Sequence, residues 1–262
     1  MDPALRAAAT GMMAQQTRTE VISNNLANVN TPGFKRSRAH FEDLLYQSIQ
    51  GQQVLGDPNA ETAPAIQVGR GTRLAGIMRM HDQGTVEQTG RNMDVMIEGN
   101  GFFQLDDGRG NTAYTRDGSF QISDKGVLVT SNGWALQPPV RVPTDASELN
   151  ISKNGIVAVR RGKDLQPTEI GRIDLVAFAN PSGLQSLGGN NYAPTASSGE
   201  PVIGLPGDAG MGTLQQGSLE GSNVEIVQEM VEMITAMRAY EINSKAIKNA
   251  DEMGQMANNL TR

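Results

Sequence analysis

Apolar and small residues recur at steps of three and four at both ends of this chain. Near the start they fall at Leu5, Ala8, Met12, Ile22, Leu26 and Val29, with Gln15 and Thr19 holding the intervening places. Near the end they fall at Ile226, Met230, Met233, Met237 and Tyr240, then at Ala246, Ala250, Met253, Ala257 and Leu260. That spacing keeps one stripe of a helix turned toward a partner, so each end is predicted to be a coiled-coil-like helix. The register slips near Asn243, an insertion of the kind that changes supercoil winding locally. Neither stripe is wide enough to stabilise its helix alone. The two ends are therefore expected to pair.

The N-terminal helix is expected to run from about Pro3, a good first-turn residue, to about Asn28, where Asn30-Thr31-Pro32-Gly33 stops it. Residues 41–47 are compatible with another helical turn or two. Residues 51–71 shift to Gly, Gln, Pro and Ala without periodicity and read as an extended arm. From Thr72 to about Ile203 the character is β. Asp107-Gly108, Asp117-Gly118, Asn132-Gly133 and Asn154-Gly155 are hairpin signals between short alternating runs. Candidate strands cover residues 94–97, 102–105, 119–122, 127–130 and 172–178, a turn frequency that favours an antiparallel sandwich or barrel-like domain. Ser222 or Asn223 is expected to cap the final helix, with Glu225 in its first turn and Glu241 and Lys245 as an i,i+4 pair.

The predicted fold class is α+β: a discontinuous helix pair formed by both termini, with an antiparallel all-β domain inserted. The expected division is 1–33 with 222–262 for the helical part, 34–71 with 204–221 for the connecting arm, and 72–203 for the β domain.

Composition narrows the function. A net charge of −6 and a pI near 5.0 argue against a dedicated nucleic-acid binder. No apolar run is long enough to span a bilayer, and the N-terminus lacks the regions of a cleavable secretory signal. Without cysteine there is no thiol or disulfide chemistry. The only histidines, His40 and His81, lie in different segments, and no His/Cys/carboxylate cluster has metal-ligand spacing. Residues 106–111 are superficially like a calcium loop but lack its alternating acids and terminal Glu. The glycines at 69–71 and 99–101 lack the third glycine of a dinucleotide fingerprint. No catalytic constellation is present and no cofactor is expected; a soluble hydrolase using the Asp-rich hairpins is the remote alternative. Five of the 13 methionines lie in the C-terminal helix, where a flexible thioether suits core filling or adaptable subunit contacts.

The N-terminal helix carries few charges: Asp2, Arg6, Arg18 and Glu20 are the only ones among its first thirty residues. Asn24, Asn25 and Asn28 are expected on the face away from Ile22, Leu26 and Val29. Asparagine is a mediocre helix former, and a solvated face normally uses Lys and Glu. An amide face is suited to neighbouring protein, where directional hydrogen bonds fix register.

Residues 23–35, Ser-Asn-Asn-Leu-Ala-Asn-Val-Asn-Thr-Pro-Gly-Phe-Lys, resemble the signature of the bacterial flagellar rod and hook proteins. Residues 233–245 resemble that family's C-terminal hallmark, and residues 99–103 and 114–120 its shared β domain. Met237 departs from relatives that often have Gln there. Residues 41–47 and the arm that follows are similar to the distal-rod branch; the hook protein or the other rod subunit with a β domain is the alternative within the family. The resemblance implies a structural subunit, exported through the flagellar type III apparatus, that polymerises helically into the axial shaft. The paired helices would line the inner tube and the β domain would form the outer layer. Implied partners are further copies of the chain, adjacent proximal rod and hook subunits, and the surrounding ring proteins. The implied place is the basal body, crossing the periplasm. The residues expected to mediate self-assembly are Leu5, Met12, Ile22, Asn24, Asn25, Leu26, Asn28, Phe34, Ile226, Met230, Met233, Met237, Tyr240 and Asn243.

Overall fold

The computed structural model describes residues 3–50, 66–161 and 166–260, so the arm expected from residue 51 lies outside the described residues as far as 65. The chain divides into two compact units. One comprises residues 1–26, 37–78 and 226–262; the other comprises residues 27–36 and 79–225.

The first unit contains both long helices, α1 (Pro3–Ala27) and α2 (Ile226–Leu260). The bounds of α1 are those expected from Pro3 and from the Thr31-Pro32-Gly33 stop. Beside the helices lie two ribbons, Ser37–Asp43 paired with Thr72–Arg79, and Tyr46–Gln50 antiparallel to Ile66–Gly69. The helical turn expected over residues 41–47 is thus replaced by the end of one strand and the start of the next. The period of two in Ser37-Arg38-Ala39-His40-Phe41 prevails: burial alternates along this strand. The ribbon closes with an Arg73–Glu42 ion pair at 2.6 Å.

The second unit is antiparallel β throughout. Its largest sheet has seven strands in the order Gln185–Gly188, Asn191–Ala193, Thr112–Thr115, Phe103–Asp106, Ala135–Gln137, Leu128–Thr130 and Phe120–Ile122. A three-stranded sheet, Ala146–Ile151, Ile156–Arg161 and Thr168–Arg172, and several two-stranded ribbons complete it; among the described residues no sheet closes into a barrel. Phe103 faces a large core with Val95, Leu105, Phe120 and Leu214. Its neighbour Phe102 faces a second cluster containing Tyr114, Phe178 and Tyr192. Successive strand residues point to opposite faces, so consecutive aromatics mark a strand buried on both sides.

Three of the four expected turns join paired strands: those at Asp107-Gly108, Asn132-Gly133 and Asn154-Gly155. The fourth, Asp117-Gly118, is a corner. Its flanking strands do not pair with each other, and Gly118 lies flat against Val95, whose amide donates to the Gly118 carbonyl at 3.1 Å. A Cβ at Gly118 would collide with the Val95 carbonyl.

Candidate functional site

Within the first unit α1 and α2 run antiparallel. Asn25 Nδ2 donates to Glu229 Oε2 at 3.1 Å, Arg18 pairs with Glu232 at 3.3 Å, and Gly11 faces Asn243. A Cβ on Gly11 would stand 2.9 Å from Asn243 Nδ2, so a larger residue here would make the Asn243 side chain shift. On α2 the residues turned inward include Glu229, Ala236, Asn243 and Ala250, spaced by one heptad throughout. The slip read near Asn243 therefore does not affect the inner seam. It belongs to the bulky apolar residues, which lie elsewhere.

Here the structure corrects the expected faces. The seam between the helices is built mainly from small and polar residues, with Ile22 the bulky exception, while most of the bulky stripe of α2 looks outward. Ile226, Met230, Met237 and Tyr240 are all exposed, as are Val227 (69%), Val231 (57%) and Ile234 (51%). Met233 is partly buried beside the seam; Asn243 is in it; the side chains of Ala257 and Leu260 lie outside the described residues. On α1, Ile22 is buried while Leu5, Met12 and Leu26 are partly buried. Asn24 is exposed and, with Gln16, Thr19, Ser23, Met237 and Tyr240, lines a groove of about 890 Å³ along the helix pair. In the second unit, Asn28 is partly buried and Phe34 is buried.

Asn25 is the second correction. It does not sit opposite Ile22 on an outer face but shares the buried face with it, at 1% exposure. Its Nδ2 also donates to the Ser37 carbonyl, and its Oδ1 accepts from the Ser37 amide, each at 2.9 Å. The amide is consumed inside the chain. Asn25→Ala is therefore expected to destabilise the helical unit itself by about 1–3 kcal/mol, because Glu229 and the Ser37 backbone lose a buried partner. Hydrogen exchange of the α1 amides would register this; protection equal to the parent would refute it.

The second unit holds a buried charge clamp. Lys35 Nζ donates to Glu220 Oε1 at 2.6 Å and to the Asp82 carbonyl at 2.7 Å. Arg116 Nη1 donates to Glu220 Oε2 at 3.1 Å, Arg116 Nη2 donates to the Gly99 carbonyl at 2.7 Å, and the Gly84 amide donates to Glu220 Oε1 at 2.9 Å. All three charged side chains are almost wholly out of solvent. Burial pushes the Glu220 carboxyl up, but the Arg116 and Lys35 charges and the hydrogen bonds outweigh it and hold it below its ordinary value. For Lys35, burial outweighs the Glu220 attraction and lowers its pKa. Gly33, at φ +69°, donates its amide to the Glu220 carbonyl at 2.7 Å. A Cβ there would stand 2.9 Å from the Asp117 amide nitrogen, so the turn after α1 must be glycine.

Neither Ser222 nor Asn223, the two expected caps, adjoins the helix, and Asn223 works instead as a strap. Its Oδ1 accepts from the Arg36 amide at 2.7 Å, and its Nδ2 donates to the carbonyls of Met80 and Asp82. The Met80 amide donates to the Arg36 carbonyl at 2.9 Å. Three separate stretches of chain are thus bound to one another by one amide. The helix begins only at Ile226.

Sequence reasoning missed this clamp. Lys35 and Arg116 lie in runs already singled out, but Glu220 sits in a three-residue strand with no pattern of its own. The available signal was Lys35, the only charge in the run 23–35 and so in need of a distant carboxylate; Arg116 gave none, because Asp117 stands beside it in sequence. The Asp106–Asn111 loop, by contrast, spends its carboxylates on its own turn and on the Gln137 side chain, which donates to Asp106 Oδ2 at 3.2 Å. Asp107 accepts from Asn111 and the Arg109 amide, and the Asn111 bond chiefly holds its pKa below the ordinary value. Among the described residues no group of three or more His or acidic side chains could hold a metal.

His81 stands beside the clamp, edge-on to Phe102 and Tyr192 at 5.6 and 5.5 Å. Burial first, then the charges of Lys35, Arg116 and Arg79, lowers its pKa from 6.5 to about 4. Between those values the unfolded chain binds a proton that the folded chain does not. The stability His81 contributes is therefore complete above pH 6.5 and lost as the pH falls through 4. Roughly 3 kcal/mol is expected to vanish from the β unit across that window; the portion above pH 4.5 belongs to His81, and Glu220 adds its own loss below. Urea melts followed by Trp134, the only tryptophan, would show it, since that residue packs against the main core. A midpoint independent of pH from 6.5 to 4.5 would count against a buried neutral His81.

Comparison with known proteins supplies the context. The family model described as Flagella basal body rod protein matches residues 5–35. The one for the Flagellar hook protein FlgE/F/G D1 domain matches residues 96–159, and the Flagellar basal body rod FlgEFG protein C-terminal model matches residues 215–260. The flagellar basal-body rod protein FlgG of Buchnera aphidicola subsp. Baizongia pistaciae is 48% identical over 97% of this chain and 98% of its own. That of Borreliella burgdorferi is 47% identical over 99% of this chain and 98% of its own. The flagellar hook-basal body complex protein FlhP of Bacillus subtilis is similar at a greater distance, 28% identical over 97% of both chains.

Proposed function

The chain belongs to the flagellar basal-body rod protein family and is a structural subunit of the distal rod; on that premise we propose that its copies assemble into a helical homopolymer serving as the drive shaft from motor to hook. The observation that supports this reading is the inverted helix pair. An ordinary pair hides its bulky apolar residues between the helices, whereas this one buries Asn25, Glu229 and Ala236 beside Ile22, sets Gly11 against Asn243, and exposes Val227, Val231 and Ile234. A contiguous apolar face on a chain this rich in water-compatible residues is a contact surface. Head-to-tail contact between unlike faces does not close on itself and generates a filament.

In this reading the chain performs no catalysis. Its neighbours along the shaft are copies of itself, with proximal rod subunits at one end and hook subunits at the other. Ring proteins surround it where it crosses the periplasm, and the flagellar type III apparatus delivers it. No described helix is long and apolar enough to cross a membrane. Electron microscopy of concentrated purified protein tests the central claim. Filaments of uniform diameter are expected above a critical concentration; a protein that stays monomeric to its solubility limit would overturn the reading.

A further inference from the structure

The methionines are not distributed like ordinary core filling. In the β unit Met96 is buried at 1% exposure; Met13, Met78, Met253 and Met256 are exposed, and so are Met230 (51%) and Met237 (49%), which alone among them stand two turns apart within the stripe of Val227, Val231 and Ile234 on α2. They are interleaved with Val227, Val231 and Ile234, and Met237 also lines the groove along the helix pair. In the free subunit both thioethers meet solvent. In a polymer built through that face both would be enclosed.

We propose that Met230 and Met237 form an oxidation-sensitive site, at which a peroxide-class oxidant reversibly blocks assembly of the free subunit. The inference rests on the assembly reading above. With hydrogen peroxide, the thioether sulfur attacks one oxygen, the O–O bond breaks, the transferred hydroxyl gives its proton to the departing hydroxide, an S=O bond forms, and water leaves. Sulfur is oxidised by two electrons and the peroxide is reduced. The product is a strongly polar acceptor where an apolar chain had been. Enclosing it without a donor strands its hydrogen-bonding capacity, which opposes each addition step. Leucine, of similar volume and no oxidisable sulfur, can replace methionine on such a face with little change in packing. Sulfoxide reductases return the thioether, so the block is reversible by chemistry already in general use on exposed methionine.

The test uses the full-length chain and dilute hydrogen peroxide. Monomer is treated briefly, sulfoxides are located by mass spectrometry, and the critical concentration for filaments is measured. Untreated parent must polymerise; if it does not, the assembly reading fails before this one is reached. Treated parent is expected to carry oxygen on Met230 and Met237, none on Met96, and to need at least about tenfold more protein to assemble, equivalent to 1.4 kcal/mol per step. The double variant Met230→Leu, Met237→Leu is expected to assemble equally before and after treatment. Reductase treatment of oxidised parent is expected to restore the original concentration, which keeps the test valid if the double variant assembles poorly. Oxidised parent that assembles at the untreated concentration would overturn the proposal. So would reduced parent that remains blocked, or filaments whose Met230 and Met237 oxidise as fast as those of the monomer.

Discussion

Glu220→Ala is expected to cost the β unit about 3–5 kcal/mol, the penalty for stranding a buried charge, here two of them at once. Lys35 and Arg116 would keep their positions in a region closed to solvent, with only the carbonyls of Asp82 and Gly99 left to accept from them. A loss of this size is a large part of a domain's whole stability. Denaturant melts followed at Trp134 would measure it. Glu220→Gln retains the shape and one acceptor oxygen, so it should fall between the parent and the alanine variant. Replacing all three charged residues by apolar residues of similar volume should recover much of the loss, because a buried ion pair is weak as net stabilisation and costly only when broken. An alanine variant within 1 kcal/mol of the parent would mean that the clamp opens to water in solution.

The second large effect falls on assembly and leaves the subunit whole. Ile234→Asp places a carboxylate where the isolated chain is already half exposed, so the monomer should melt as the parent does. In a filament that position is enclosed, and an unpaired charge taken out of water costs several kcal/mol. A penalty of about 4 kcal/mol raises the critical concentration roughly a thousandfold, which abolishes rods at any practical concentration. Met233→Asp, one position away, should behave differently. Its side chain is partly buried beside the seam, and a carboxylate there lies one turn from Glu229, so the helix pair itself should loosen. Pelleting assays paired with circular dichroism distinguish the two. If Ile234→Asp pelleted at the parent's concentration, the apolar stripe would not be the contact surface.

These contrasts show what was legible in the residues alone. The extent of α1 follows from Pro3 and Thr31-Pro32-Gly33, and three hairpins follow from their Asn-Gly or Asp-Gly turns, because those signals are local and steric. The faces of the helices were not legible. A periodic stripe records that a surface is buried somewhere, and Met230 or Met237 reads the same whether the partner is α1 or a second copy. Hence the bulky stripe was assigned to the inner seam, and Asn25 to the outer face. Glu220 was invisible for another reason: its partners Lys35 and Arg116 stand 185 and 104 residues away, and no local pattern encodes such a pairing. Asn223 shows the same limit. As a cap its geometry would have been local, whereas its strap to Arg36 and Met80 is a property of the assembled unit.

The polar seam between α1 and α2 also bears on how a shaft withstands thrust. Apolar contacts are non-directional, so a seam of leucines can slide by a turn and recover most of its contact energy in the new alignment. A shifted alignment of this seam would forfeit directional contacts that the present one makes. Asn25 meets both Glu229 and Ser37, and Gly11 leaves room for Asn243. Displacing α2 by one heptad would set Asn25 opposite a residue that cannot complete its hydrogen bonds and would push Asn243 against a side chain bearing a Cβ. A single polar position can pin the register of a coiled coil at some cost in stability. This helix pair has two such positions two heptads apart, hydrogen bonds at Asn25 and a close fit at Asn243, which convert axial shear on the subunit into strain at defined contacts rather than slippage.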